Sequence, residues 1–161
     1  MLGGCTSHNG MGYSRGNYHD YNLWAEAGNP TWDYKSVLPY FKELEHVVVK
    51  RLRNKRHGVS GYQYVDYFAN ETQPTLLKLQ KLMFQGTMQA GMPYVEDMGA
   101  LFIQGIGKVL GTIRNGVRQN AAKAFLTPVK DRENLHVLKE AFATKILIDE
   151  ITKRAFGVTV Y

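Results

Sequence analysis

The clearest apolar period in the chain runs from Pro74 to Gly91. Leu76, Leu77, Leu79, Leu82, Met83, Phe84 and Met88 recur there at helical spacing. This predicts a helix with one broad apolar face, whose Leu and Met side chains are expected in a core. Gly91 suits its end, and Pro93 follows. A second helix is predicted over Tyr34 to Glu45. Val37, Leu38, Tyr40, Phe41 and Leu44 share one side, with Lys42, Glu43 and Glu45 opposite. Asp33 is placed to cap it, and Pro39 suits its first turn if the helix starts late. Shorter helices are expected over Asp20 to Glu26 and over Gln119 to Leu126, the latter ended by Pro128.

Strand patterns fall at Tyr62 to Phe68 and at Lys108 to Arg114, the second closed by the turn pair Asn115-Gly116. Three more are expected in the last third: Leu135 to Leu138, Ala143 to Ile148 and Gly157 to Tyr161. The middle one is nearly continuous in Ile and Leu, as a strand buried on both faces would be. Residues 3 to 33 read differently. Gly3, Gly4, Gly10, Gly12, Gly16 and Gly28 crowd a stretch rich in Asn, Tyr and Asp. Such density means tight turns, or backbone pressed against something. Residues 92 to 106 form a long stretch without a regular element, which compact domains rarely carry unless a ligand or another domain orders it.

Composition narrows the picture little. The 161 residues amount to one domain or slightly more; 44% are hydrophobic and 21% charged, the make-up of a soluble globular chain. No apolar run is long enough for a membrane-spanning helix, and the first residues lack a signal-peptide pattern. The single cysteine excludes an internal disulfide framework, and the histidines show no ligand spacing, so no metal is expected. A net charge of +6 permits an acidic partner. The basic run from Lys50 to Arg56 lacks interleaved aromatics and reads as a solvated loop, so no nucleic-acid partner is expected. Trp24, Trp32, Tyr34 and Phe41 suit core packing better than a substrate channel. Cys5 reads as a small filler in a glycine-rich turn. Asn70-Glu71-Thr72 is a glycosylation sequon that matters only in a secreted protein.

One segment carries chemistry. It runs Leu2-Gly3-Gly4-Cys5-Thr6-Ser7-His8-Asn9-Gly10-Met11-Gly12-Tyr13-Ser14-Arg15-Gly16, followed by Asp20-Tyr21, Trp24-Ala25 and Gly28-Asn29-Pro30. This closely resembles the glucose–methanol–choline (GMC) oxidoreductases, FAD enzymes that oxidise alcohols. Further motifs follow in the family's order: the Val-Leu-Pro-Tyr-Phe-Lys helix over Val37 to Lys42, then His57-Gly58 and Gly61. Gly91, Pro93 and Asp97 come next, then Thr112, Gly116, Arg118 and Phe125-Leu126, and last Asn134-Leu135 through Gly157-Val158. The resemblance covers nearly the whole chain and is nearest to the insect glucose-dehydrogenase-like branch.

The resemblance implies an α+β fold: a partial FAD-binding domain of the two-domain GMC fold with part of the substrate-domain framework. The N-terminal dinucleotide-binding βαβ unit is missing. It divides the chain into a flavin-side loop and lid (1–33), a helical insert with substrate-side segments (34–106), and strands returning to the FAD domain (107–161). It places Gly3, Gly4, Thr6, His8, Asn9, Gly10, Met11 and Gly12 against FAD, and Ala143 where a backbone meets the adenine. Gly3 and Gly4 suit the task physically, because only glycine lets backbone N–H groups approach a pyrophosphate so closely. Gly10 would leave room for substrate beside the flavin. His8 has a counterpart in choline oxidase that is bonded covalently to the flavin; a His simply packed by the flavin is the plainer reading.

The family's Gly-x-Gly-x-x-Gly turn is not found. Gly105, Gly107 and Gly111 have the wrong spacing, and no strand precedes them. The catalytic His region is not found either, so no catalytic residue is assigned. The expectation is therefore a fragment of an FAD-dependent oxidoreductase acting on CH–OH groups of a small alcohol or sugar. Alone it would be inactive, with exposed apolar patches. The alternative is a truncated, non-catalytic product that serves as a binding or structural module.

Overall fold

Asn17 and Asp20 cap the first helix reciprocally. Asn17 Oδ1 accepts the His19 N–H at 3.0 Å, and Asp20 Oδ2 accepts the Asn17 N–H at 2.9 Å. The computed structural model describes residues 1–68, 73–98 and 104–161, and two compact units divide them, Met1–Pro128 and Val129–Tyr161. The segments 1–33 and 34–106 thus fall within one unit. The Asn70-Glu71-Thr72 sequon and part of the 92–106 stretch lie outside the described residues.

In the first unit, helix α1 (Tyr18–Glu26) is followed by α2 (Tyr34–Leu44). Asp33 caps α2 as expected, its Oδ1 accepting the Lys35 and Ser36 N–H groups at 3.0 and 3.2 Å. Pro39 lies inside this helix rather than in its first turn. Tyr21 is central to the aromatic cluster, with ring contacts to Trp24, Tyr34 and Phe41; Trp32 meets Trp24. Both tryptophans stay about half exposed.

Four strands form the sheet of this unit: β1 (Gly12–Tyr13), β2 (Glu45–Val47), β3 (Gln63–Tyr67) and β4 (Leu110–Gly111). Their order is β1-β4-β3-β2, with β2 parallel to β3 and the other pairs antiparallel. Side-chain alternation sends Val47 and Val65 inward to meet Leu52 and Leu110, with Tyr13, Val49 and Tyr67 packed around them. On the opposite face the paired residues His46 and Tyr64 stack at 4.2 Å, and the Arg114 guanidinium lies 4.2 Å from the Tyr64 ring.

The Lys108 to Arg114 pattern divides in two. After β4, the Thr112 N–H turns to the Met11 carbonyl, and β5 (Ile113–Arg114) pairs instead with β6 (Val117–Arg118). The hairpin turn is the expected Asn115-Gly116, with φ of 51° and 75°. The helix expected over Gln119 to Leu126 is a wide π-type coil over Ala122–Leu126, and Pro128 lies in a 3-10 turn after it.

Helix α3 (Pro74–Gln89) forms where its period predicts, and Gly91 follows with φ 89°. Its apolar face is not core. Leu79, Leu82 and Met83 are 55%, 57% and 61% exposed. Periodicity identifies a face but says nothing about what covers it. Gly105 and Gly107 have a packing role: a Cβ on either would stand 2.6 Å from the Pro93 carbonyl oxygen or 2.1 Å from that of Val95.

The second unit is a hairpin of β7 (Ala143–Ile148) and β8 (Ala155–Val160) with two register shifts. The doubly buried strand expected at 143–148 is exposed instead along most of its length. Leu135 to Leu138 forms no strand; a strand needs a neighbour to satisfy its backbone, and none pairs with it among the described residues.

Candidate functional site

Residues 3 to 12 form a loop whose long-range hydrogen bonds, among the described residues, run to Thr112, Arg118, Asn120 and Ala121. It opens with two left-handed glycines, Gly3 (φ 91°) and Gly4 (φ 54°), and runs through a 3-10 turn over Gly4–Ser7. The Thr6 hydroxyl donates to the Gly3 carbonyl and accepts the Ala121 N–H at 2.9 Å. Ser7 Oγ donates to the Leu2 carbonyl at 3.0 Å and accepts from Asn120 Nδ2 at 2.9 Å. Arg118 Nη1 donates to the Thr6 carbonyl at 3.2 Å and to Asn9 Oδ1 at 2.9 Å. Asn9 Oδ1 also accepts the Met11 N–H at 3.0 Å, closing a turn that holds Met11 at φ 60°. The loop then enters β1.

Its other side is bare. Gly4, His8, Asn9, Gly10 and Gly12 are exposed, and a Cβ added at Gly4, Gly10 or Gly12 would meet nothing within 4 Å. Backbone without side chains, anchored from behind, is a surface on which a flat ring or a phosphate can lie closely. Of the loop residues singled out from the sequence, Gly4, His8, Asn9, Gly10 and Gly12 are exposed, whereas a Cβ on Gly3 would meet Ser7 Oγ at 2.6 Å and Asn120 at 3.3 Å. Thr6 is partly an anchor, and Met11 is half-buried. Ala143 lies in the other unit, at the start of β7, exposed and paired with Val160.

Deeper in the first unit, four charged side chains meet. Arg15 Nη2 pairs with Glu45 Oε2, and Arg15 Nη1 donates to the Arg56 carbonyl at 2.6 Å. His57 Nδ1 lies 3.0 Å from both Glu45 oxygens, and His57 Nε2 lies 2.9 Å from Asp97 Oδ2. The Gly58 N–H adds a bond to Glu45 Oε2 at 2.8 Å. All four side chains are buried. Burial alone would lower the His57 pKa. The hydrogen bonds and negative charges of Asp97 and Glu45 outweigh it and raise the value to about 9.

Two glycines make this junction possible. A Cβ on Gly58 would stand 1.9 Å from the Lys42 carbonyl oxygen, and one on Gly61 would stand 2.3 Å from that of Leu44. The turn that carries His57 therefore lies backbone to backbone against the end of α2.

Sequence reasoning missed much of this support. Glu45 was expected on the polar side of a helix, yet it opens β2 with no exposed surface. Arg118 and Thr112 stood out only as motif letters, and Asn120 not at all. Nothing in local spacing signals contacts with residues more than a hundred positions away.

A family model described as GMC oxidoreductase matches residues 1–161. A glucose dehydrogenase (FAD, quinone) of Drosophila melanogaster is 38% identical over 99% of this chain and 25% of its own length. An alcohol dehydrogenase (acceptor) of Pseudomonas putida is 36% identical over 98% of the chain and 27% of its own. The crystal structure of pyridoxine 4-oxidase from Mesorbium loti superposes with a TM-score of 0.80 at 25% identity, covering 94% of this chain and 29% of that one. The chain spans about a quarter of the length of the curated relatives it matches.

Proposed function

The chain belongs to the GMC oxidoreductase family, and from that premise we propose that it forms the flavin-facing part of an FAD-dependent oxidoreductase acting on the CH–OH group of an alcohol or sugar. The observation that carries this reading is the bare face of the Gly3–Gly12 loop, anchored from behind by Thr112, Arg118, Asn120 and Ala121. In this reading Gly3, Gly4, Thr6, His8, Asn9, Gly10, Met11 and Gly12 hold the flavin side of FAD. Ala143 offers its backbone to the adenine side.

When bound, the flavin supplies the hydride acceptor. The chain's residues supply shape and orientation. Arg118 fixes Asn9, and Asn9 fixes the left-handed turn at Met11. Gly10 leaves the loop's face open both to the flavin ring and to a substrate beside it. His8, exposed at the end of the 3-10 turn, lies beside the ligand. No residue of this chain is assigned as the base that takes the hydroxyl proton.

The proposed division is a flavin-side loop and lid (1–33), a helical insert with substrate-side segments (34–106) and strands returning to the FAD domain (107–161). Together they make a partial FAD-binding domain with part of the substrate-domain framework. The exposed apolar faces of α3 and of the β7–β8 hairpin support a reading in which other parts of a family-length polypeptide cover them, since such surface is normally covered. Activity is proposed for a family-length polypeptide, and these 161 residues alone are proposed to be inactive. The test is to purify the natural polypeptide and look for flavin absorbance that bleaches when an alcohol or glucose is added without oxygen. A polypeptide that carries no flavin and takes none up on titration would refute the reading.

A further inference from the structure

The buried charges join four segments of the first unit. Arg15 follows β1, Glu45 opens β2, His57 follows the basic run, and Asp97 comes three residues after Tyr94, which bridges to Ile106 ahead of β4. The hydrogen bonding dictates the charge state. Both ring nitrogens of His57 face carboxylates, which only accept when ionised, so both must carry a proton. Arg15 and His57 then balance Glu45 and Asp97. One end of this chain of bonds holds the segment leaving β1, where Arg15 Nε also donates to the Tyr13 hydroxyl at 3.3 Å. The other end holds Asp97, close in sequence to Tyr94, whose bridge to Ile106 lies just ahead of β4, the strand that pairs with β1 at Gly12–Gly111 and Tyr13–Leu110.

We propose that Glu45, His57 and Asp97 are positioning residues for the flavin-side loop: with Arg15 they form a charge-balanced strut that holds β1 in register on β4, and so holds the loop in its open shape. The inference rests on the flavin reading above for its functional meaning, but not for its geometry. The side-chain hydrogen bonds of Glu45 and His57 run to each other, to Arg15, to Gly58 and to Asp97 rather than to the loop. Removing the His57 charge would take away the cation that lies between two buried carboxylates, Glu45 and Asp97, and the structure relieves that most readily by releasing the segments it ties.

The test is hydrogen exchange in the natural polypeptide without added flavin, with the separate hairpin 143–160 as internal control. His57→Gln should speed exchange in 3–13 and 104–111 by about tenfold or more and leave the control unchanged. His57→Gln with Asp97→Asn removes one charge of each sign, and exchange should return to within about threefold of wild type. Acceleration confined to 45–61, or an additive double variant, would overturn the strut. If His57→Gln unfolds the whole unit, Asp97→Asn alone carries the test. Faster exchange in 3–13 is expected, and an unchanged loop overturns the proposal. Flavin titration of the same samples separates the two readings. A strut that behaves as stated in a wild type that takes no flavin would sink the flavin reading alone. Tight flavin binding with an unresponsive loop would sink the strut alone.

Discussion

Arg118 Nη1 donates to Asn9 Oδ1 at 2.9 Å across 109 positions of sequence. The same nitrogen reaches the Thr6 carbonyl, so one guanidinium fastens both ends of the loop's central turn. Arg118→Met should therefore loosen the loop without disturbing the core. The expected cost is about 1 kcal/mol, equivalent to roughly fivefold in flavin affinity. Fluorescence titration with FAD checks it, and an unchanged affinity would show that the loop holds its shape without Arg118.

Gly58 and Gly61 are needed for close approach. Gly58→Ala would drive a Cβ into the Lys42 carbonyl, and Gly61→Ala into that of Leu44. Each should cost about 3 kcal/mol or more. Gly86, inside α3 with nothing within 4 Å of its Cβ position, should behave oppositely. Gly86→Ala should stabilise by about 0.5–1 kcal/mol. Urea midpoints measure all three.

The strut makes stability depend on alkaline pH. His57 is raised from 6.5 to about 9 in the folded chain, so the folded state binds the proton more tightly. Its contribution is fully present below pH 6.5 and lost as pH rises through about 9. Glu45 and Asp97 face the ring directly and Arg15 acts through Glu45, while burial pushes the Tyr13 hydroxyl beside Arg15 up from the ordinary tyrosine value. Urea midpoints from pH 6 to 9.5 should fall for wild type, and His57→Gln should remove most of the slope.

The Tyr34 hydroxyl is buried and meets no hydrogen-bond partner among the described residues. A buried hydroxyl without a partner costs folding free energy. Tyr34→Phe should be neutral or stabilise by up to about 1 kcal/mol. A clear loss of thermal stability would mean that the hydroxyl has a partner in solution.

Local signals were legible to the degree that local physics decides them. Asp33 capping α2, the Asn115-Gly116 turn and the span of α3 all follow from side chains acting on backbone within a few residues. Burial was less legible. Leu79 and Met83 on α3, and the Ile and Leu of β7, have the composition of a core, but the cover for such faces is a property of distant chain. Leu135 to Leu138 has strand-like composition and finds no partner. At the site, the glycines of the loop could be recognised because bare backbone needs glycine. The anchors Arg118 and Asn120, and the burial of Glu45, depend on contacts between remote segments, which spacing does not encode.

The open face of the Gly3–Gly12 loop is the proposed seat of the flavin, and a side chain added at Gly10 would occupy it. Gly10→Leu places its side chain in open space, so folding stability should stay within about 0.5 kcal/mol of wild type. The measurement is FAD affinity of the natural polypeptide and of this variant, side by side with their urea midpoints. Tight binding by wild type and at least about tenfold weaker binding by Gly10→Leu, at equal stability, is the predicted result. Equal affinity in the two proteins would put the flavin elsewhere, because a side chain filling that face would then have displaced nothing.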